Sequence, residues 1–123
     1  METQRKFENL LVWQRSVLLT KQIYFHFHLL DDFGFRNQIT KASVSISNNI
    51  AEGFDRKSDR EFKRFLSIAL GSLSEVKSMV LTAFHLDYIT EEDQQELVSQ
   101  LDIIGKMTNS LINFLTKELE KNK

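Results

Sequence analysis

Five basic side chains, Arg56, Lys57, Arg60, Lys63 and Arg64, fall within one short stretch of the chain. The chemistry open to such a cluster is contact with phosphate. Read as a helix, Arg60, Lys63 and Arg64 lie within about 100° of one another, opposite Phe62, Phe65, Leu66 and Ala69. Like charges at these spacings repel by roughly 0.2–0.5 kcal/mol, and a phosphate backbone would relieve that repulsion. Lys41 is a further candidate contact. The same spacing also lets Asp59 pair with Lys63 and Glu61 with Arg64, which would leave a solvated, salt-bridged face.

A second constellation comprises Asn48, Asn49, Glu52 and Glu75. Asparagine is a mediocre helix former, so two in succession invite a reason. The first is a hydrogen-bonded network of Asn49, Glu52 and Glu75 between two helices, fixing register and ending the first of them. The second is acid–base chemistry by a carboxylate pair, which would need a desolvated carboxyl and has no nucleophile beside it. The three histidines, His26, His28 and His85, include no pair at ligand spacing: His26 and His28 stand about 200° apart on a helix. No Glu-x-x-His pair, phosphate-binding Gly loop, dinucleotide turn or nucleophile elbow occurs. Cysteine is absent, which removes thiolate catalysis, disulfides and Cys-ligated metals. No enzyme, metal or cofactor is expected.

The elements that must position these residues are helical. The chain has 123 residues, no proline, four glycines, 41% apolar and 27% charged residues, so turn punctuation for a sheet is scarce. Its length suits a single domain, residues 1–123, able to bury its own core. Four periodic segments are expected, at about 8–30, 35–54, 58–87 and 91–120. Asp31-Asp32-Phe33-Gly34 separates the first two, and Gly53 stops the second. Ser58 with Glu61 reads as a capping box, and Thr90 opens the fourth helix ahead of three acids. Short connections make consecutive helices antiparallel, hence an up-and-down four-helix bundle.

Two faces stand out. Between Leu10 and Leu30, 13 of 21 residues are apolar and point nearly all round the helix. Such a helix needs cover on every side, from the termini or from a second partner surface, and the latter makes the protein a homo-oligomer. Helices 2 and 3 instead carry small residues: Ala42, Ser43, Ser45, Ser47 and Ala51 on one, Ser67, Ala69, Gly71, Ser72 and Ser74 on the other. A mid-helix Gly71 costs roughly 1 kcal/mol against Ala, which close approach of the two helices would offset; a groove left open for a ligand is the alternative.

The stretch Ser45-Ile-Ser-Asn-Asn-Ile-Ala-Glu-Gly53, followed by Arg56, Glu61-Phe62, Arg64-Phe65-Leu66 and Ile68-Ala-Leu-Gly-Ser-Leu73, resembles a known family. Leu11-Val12-Trp13-Gln14 and Gln38 to Ala42 fit the same pattern. The chain is similar to the four-helix-bundle proteins encoded within intervening sequences of bacterial 23S ribosomal RNA genes, whose relatives include the accessory variability determinants of diversity-generating retroelements. The resemblance implies an up-and-down bundle assembling into a ring-like homopentamer. In the retroelement relatives a basic surface binds nucleic acid and a reverse transcriptase. Ser47 stands where the family usually has proline, so the kink expected in helix 2 should be softened.

The net charge is −1, but it is unevenly placed: residues 1–77 hold 12 basic and 9 acidic side chains, and residues 78–123 hold 4 and 8. A localised basic zone is therefore compatible with a near-neutral chain. The expected function is non-enzymatic: an oligomeric bundle binding RNA, or DNA, through Arg56, Lys57, Arg60, Lys63 and Arg64, with Lys41 helping. The alternative is a protein-interaction scaffold that docks a protein partner and touches no nucleic acid itself. No signal peptide or membrane-spanning run is read from the sequence, so a cytoplasmic protein is expected.

Overall fold

In the computed structural model, which describes residues 6–121, four helices follow one another: α1 Leu11–Phe27, α2 Phe33–Asp55, α3 Asp59–His85 and α4 Glu91–Lys121. A short 3-10 turn, Phe7–Asn9, precedes them. Helix α1 packs on α2 and α4, α2 on α3, and α3 on α4, closing a four-helix bundle. The α2–α3 seam is the most extensive and α1–α4 the sparsest.

Each helix gives one stripe to a shared core. Leu19, Ile23 and Phe27 come from α1, Ile39, Ile46 and Ile50 from α2, Leu66, Val76 and Val80 from α3, and Leu97, Leu101 and Ile104 from α4. All twelve are essentially without solvent contact, and spacings of three, four or their sums place those of each helix on one side. By length and composition α3 could cross a membrane, yet in the bundle it turns Phe62, Phe65, Leu66, Ala69, Leu73, Val76, Val80 and Ala83 inward.

The helix boundaries correct the sequence reading in three places. Helix α1 is shorter than 8–30, because Leu10 is extended and the residues before it form the separate turn. Phe7 sits edge-on to Trp13 at 5.3 Å, and Gln14 donates to the Glu8 carbonyl at 2.8 Å, which ties that turn back onto α1. The Asp31–Gly34 stretch is only half a break: Asp32 caps α2 by accepting from the Phe35 N–H at 3.2 Å. Gly53 does not stop α2. It lies inside the helix and is buried, and Lys57, with φ 55°, is the left-handed residue beyond the helix end. Helix α2 runs unbroken through Ser47, whose hydroxyl donates to the Val44 carbonyl.

The expected caps form. Ser58 Oγ accepts from the Glu61 N–H at 3.3 Å, and Thr90 Oγ1 from the Asp93 N–H at 3.1 Å. The Glu61 carboxylate turns to Arg64 rather than back to Ser58.

Small residues do bring helices together, but not at Gly71. That glycine is exposed, and a Cβ placed on it would meet nothing within 4 Å. The close approaches are elsewhere. Thr20 Oγ1 on α1 reaches the Ser43 carbonyl on α2 at 3.2 Å, with Ser16 and Ser43 fully buried between the helices. Ser45 and Ser72 hydroxyls bond across the α2–α3 seam at 2.9 Å. A Cβ on Gly53 would stand 2.5 Å from the Phe65 Cβ and 3.2 Å from the Phe62 Cδ1.

At one end of the bundle, Tyr88 Oη donates to Asp32 Oδ2 at 2.6 Å and joins the α3–α4 connection to the α2 cap. Tyr88 also meets Phe35 edge-on at 5.3 Å. The Tyr88 hydroxyl, and after it the Phe35 N–H, hold the Asp32 carboxyl below its ordinary value. A lowered folded-state value contributes stability above the unfolded carboxylate range, and that stability is lost as pH falls through the lowered value. Tyr88→Phe should therefore flatten the acid side of the stability–pH curve, read by urea melts from neutral pH downward. An acid side as steep as the parent's would remove this bond from the account.

Candidate nucleic-acid interface

The basic cluster occupies the three-residue connection between α2 and α3 and the first turns of α3, at the bundle end opposite Asp32 and Tyr88. Its geometry starts from Gly53. With no side chain there, Phe65 of α3 lies against the α2 backbone, and it becomes a platform for two guanidinium groups. Arg56 Cζ stands 5.1 Å and Arg64 Cζ 4.6 Å from the Phe65 ring centroid, both within cation–π range.

Those two arginines are also paired. Arg56 Nη2 donates to Glu52 at 3.1 Å, and Arg64 donates through Nε and Nη2 to the two Glu61 oxygens, each at 3.1 Å. The bidentate hydrogen bonds hold the Glu61 carboxyl below the usual carboxylate range and push Arg64 up, so both stay charged near neutrality. Their charges largely cancel locally. The expected Asp59–Lys63 pair does not form. Lys57, Arg60 and Lys63 make no ion pair among the described residues. The cluster thus divides into two stacked, neutralised arginines and three cations without an ion pair, of which Lys57 and Arg60 are exposed.

Lys41 is placed elsewhere. It is exposed on α2, about 22 Å along the helix axis before Arg56, and does not join the loop cluster. The expected network of Asn49, Glu52 and Glu75 is corrected too, because the three have separate partners. Asn49 Nδ2 donates to the Ser45 carbonyl at 2.8 Å and to Ser45 Oγ at 3.0 Å, Glu52 holds Arg56, and Glu75 accepts from Gln38. Asn49 does support the α2–α3 seam, through Ser45 and its bond to Ser72. Phe65 is the residue that the sequence reading placed only on the apolar side of the helix, opposite the cations. Its aromatic type directly after Arg64, close in sequence to the Arg56 loop, was the available signal. Among the described residues no group of three or more His, Asp and Glu could hold a metal ion.

The other notable surface is on α1. Leu11, Leu18 and Phe25 recur every seven residues and are 58%, 57% and 72% exposed. With Arg15 and Gln22 they make a continuous four-three seam, the spacing with which one helix packs on another, and Leu29 follows just beyond the helix. Beside it a groove of about 500 Å³ opens toward α4, where Gln100 and Ile104 form the far wall. Gln22, which lines that groove, has its Oε1 buried without a hydrogen-bond partner among the described residues.

A family model described as 23S rRNA-intervening sequence protein matches residues 8–110. The matched span contains the whole basic cluster, Gly53, Phe65 and the α1 seam, and stops within the last turns of α4. No curated protein matches the chain.

Proposed function

This chain belongs to the family of 23S rRNA-intervening sequence proteins, and within that family we propose that it acts as a non-enzymatic, oligomeric helical bundle that contacts RNA through the α2–α3 connection. The observation that supports this reading best is the trio Lys57, Arg60 and Lys63, which carry charge at one end of the bundle with no ion pair among the described residues. Phosphate oxygens supply the counter-charge that the protein does not. Such contacts give affinity and salt dependence, not sequence readout. Arg56 and Arg64 are held in place over Phe65 and act as supports, each exchanging its carboxylate partner for phosphate only at a cost.

Assembly multiplies the effect. A single copy offers three free cations among the carboxylates Asp55 and Asp59, a weak site. Several copies arranged about an axis present the trio repeatedly to one RNA, and linked weak contacts become tight binding. The α1 seam is the surface that suits a second copy, because its seven-residue recurrence matches helix packing and Leu11, Leu18 and Phe25 are largely exposed among the described residues. Five copies is the number that the family resemblance implies.

The test compares the parent with the variant Lys57→Ala, Arg60→Ala, Lys63→Ala by fluorescence anisotropy of a labelled structured RNA. Affinity should fall by at least about tenfold for every 1.4 kcal/mol of lost phosphate contact, with helical content unchanged. Equal affinity in the variant would overturn the assignment. The same α1 seam also suits a protein of another kind, which favours the scaffold as the second reading. In a pull-down, a protein partner retained after nuclease treatment would support the scaffold, and RNA retained without any protein would support the first reading.

A further inference from the structure

A second groove lies at the other end of the bundle, about 30 Å along α2 from Arg56. It has a volume of about 310 Å³ and opens between the last turns of α1 and the first turns of α2, lined by Tyr24, His28, Arg36, Asn37 and Thr40.

Its one permanent charge is fixed in place. Arg36 Nη1 donates to the His28 carbonyl at 3.2 Å, and the guanidinium carbon lies 4.6 Å over the Phe33 ring. No carboxylate forms an ion pair with Arg36 among the described residues. The remaining guanidinium hydrogens are therefore available and already oriented.

The neighbours complete a donor set. His28 Nδ1 sits 3.0 Å from the Tyr24 carbonyl and 3.1 Å from the Phe25 carbonyl. A nitrogen facing two carbonyl oxygens must carry the hydrogen, which leaves Nε2 as an acceptor in the neutral ring and a donor once the ring is protonated. Among the described residues the Tyr24 hydroxyl and the Asn37 side-chain amide have no hydrogen-bond partner. Thr40 Oγ1 donates to the Arg36 carbonyl at 2.9 Å and so keeps the first turns of α2 in register behind the groove. A preset guanidinium with a phenol, an amide and an imidazole around it matches a tetrahedral oxyanion, which offers acceptors in several directions and, as an ester, a hydroxyl-bearing sugar for His28 Nε2.

We infer that this groove is a second phosphate-binding site, separate from the α2–α3 cluster. The phosphate could arrive on a free nucleotide or within an RNA strand. Three probes distinguish these sources: inorganic phosphate, AMP, and a single-stranded RNA trinucleotide without a terminal phosphate. Each is titrated into the isotope-labelled full chain while the Arg36 Nε–H and His28 ring resonances are followed. Saturable shifts at both residues are expected with at least one probe. Tighter binding of AMP than of the trinucleotide assigns a nucleotide; the reverse assigns a strand. Arg36→Gln should weaken the response about tenfold or more. Asn37→Asp should do the same by adding a negative charge to the rim, and because Asn37 is exposed the variant should keep the fold. The Lys57, Arg60, Lys63 triple variant should retain the shifts. Absence of saturable shifts with all three probes, or shifts unchanged in both Arg36→Gln and Asn37→Asp, would overturn the inference.

Discussion

Gly53→Ala is expected to destabilise the bundle by about 1–3 kcal/mol. The added methyl would stand 2.5 Å from the Phe65 Cβ, and a Cβ cannot swing away as a side-chain tip can. Relief requires α2 and α3 to separate along their most extensive seam. The gain in helix propensity, about 1 kcal/mol for Ala over Gly, opposes this cost without cancelling it. Separation also moves Phe65 under Arg56 and Arg64, so the variant should bind RNA less well even where it remains folded. Gly71→Ala makes the control. Nothing lies within 4 Å of that position, so the same change should stabilise the protein by about 0.5–1 kcal/mol. Urea melts of both variants read the two signs. A stabilised Gly53→Ala would show that the α2–α3 approach has been misassigned.

The second large effect concerns the α1 seam. Leu18→Glu combined with Phe25→Glu should convert the proposed assembly into chains of 14.4 kDa, measured by light scattering. Burying a leucine or phenylalanine contributes about 1.5–3 kcal/mol, so losing two per contact weakens association by at least about a hundredfold. The introduced carboxylates add a desolvation cost on top. Both residues are largely exposed within one chain, so the monomer should keep its helical content and its melting behaviour. A parent protein that scatters as a single chain at tens of micromolar would remove self-assembly from the account and leave the seam for a different protein.

Much of the fold is legible in the sequence because helix signals are local. Ser58 and Thr90 announce their helices through the hydrogen bonds they make three residues on, and the stripe Leu97, Leu101, Ile104, Thr108 marks the buried face of α4 by spacing alone. Glycine is less readable. Gly53 and Gly71 look alike in one dimension, one near an expected helix end and one inside a helix. Only the partner helix shows that the first is a point of contact and the second is open. Asp32 was read as part of a break, since an aspartate in a polar run does not reveal that its two oxygens will take the Phe35 N–H and the Tyr88 hydroxyl.

The candidate site was half legible. Charge clustering located Arg56 to Arg64, and the Glu61–Arg64 pair follows from a three-residue spacing on one helix. The division into neutralised and free cations does not follow from spacing, because Asp59 had as good a claim on Lys63 by position and does not pair with it. The assumed connection of Asn49, Glu52 and Glu75 failed for a related reason. Gln38, Ser45 and Ser72, each unremarkable in sequence, were better placed to take or support those side chains. The groove around Arg36 was invisible because its five residues come from two helices facing one another across a turn.

The central claim is that free cations on an assembled bundle bind RNA phosphates. The most direct test is the affinity of the parent protein for a structured RNA, measured by anisotropy across a series of salt concentrations. Binding should weaken linearly on logarithmic axes, and each neutralised phosphate contributes about 0.7–0.9 to the slope. A slope equivalent to several phosphates, more than the three free cations of one chain supply, is the result expected of an assembly. No detectable binding at the lowest salt, or binding indifferent to salt, would contradict it.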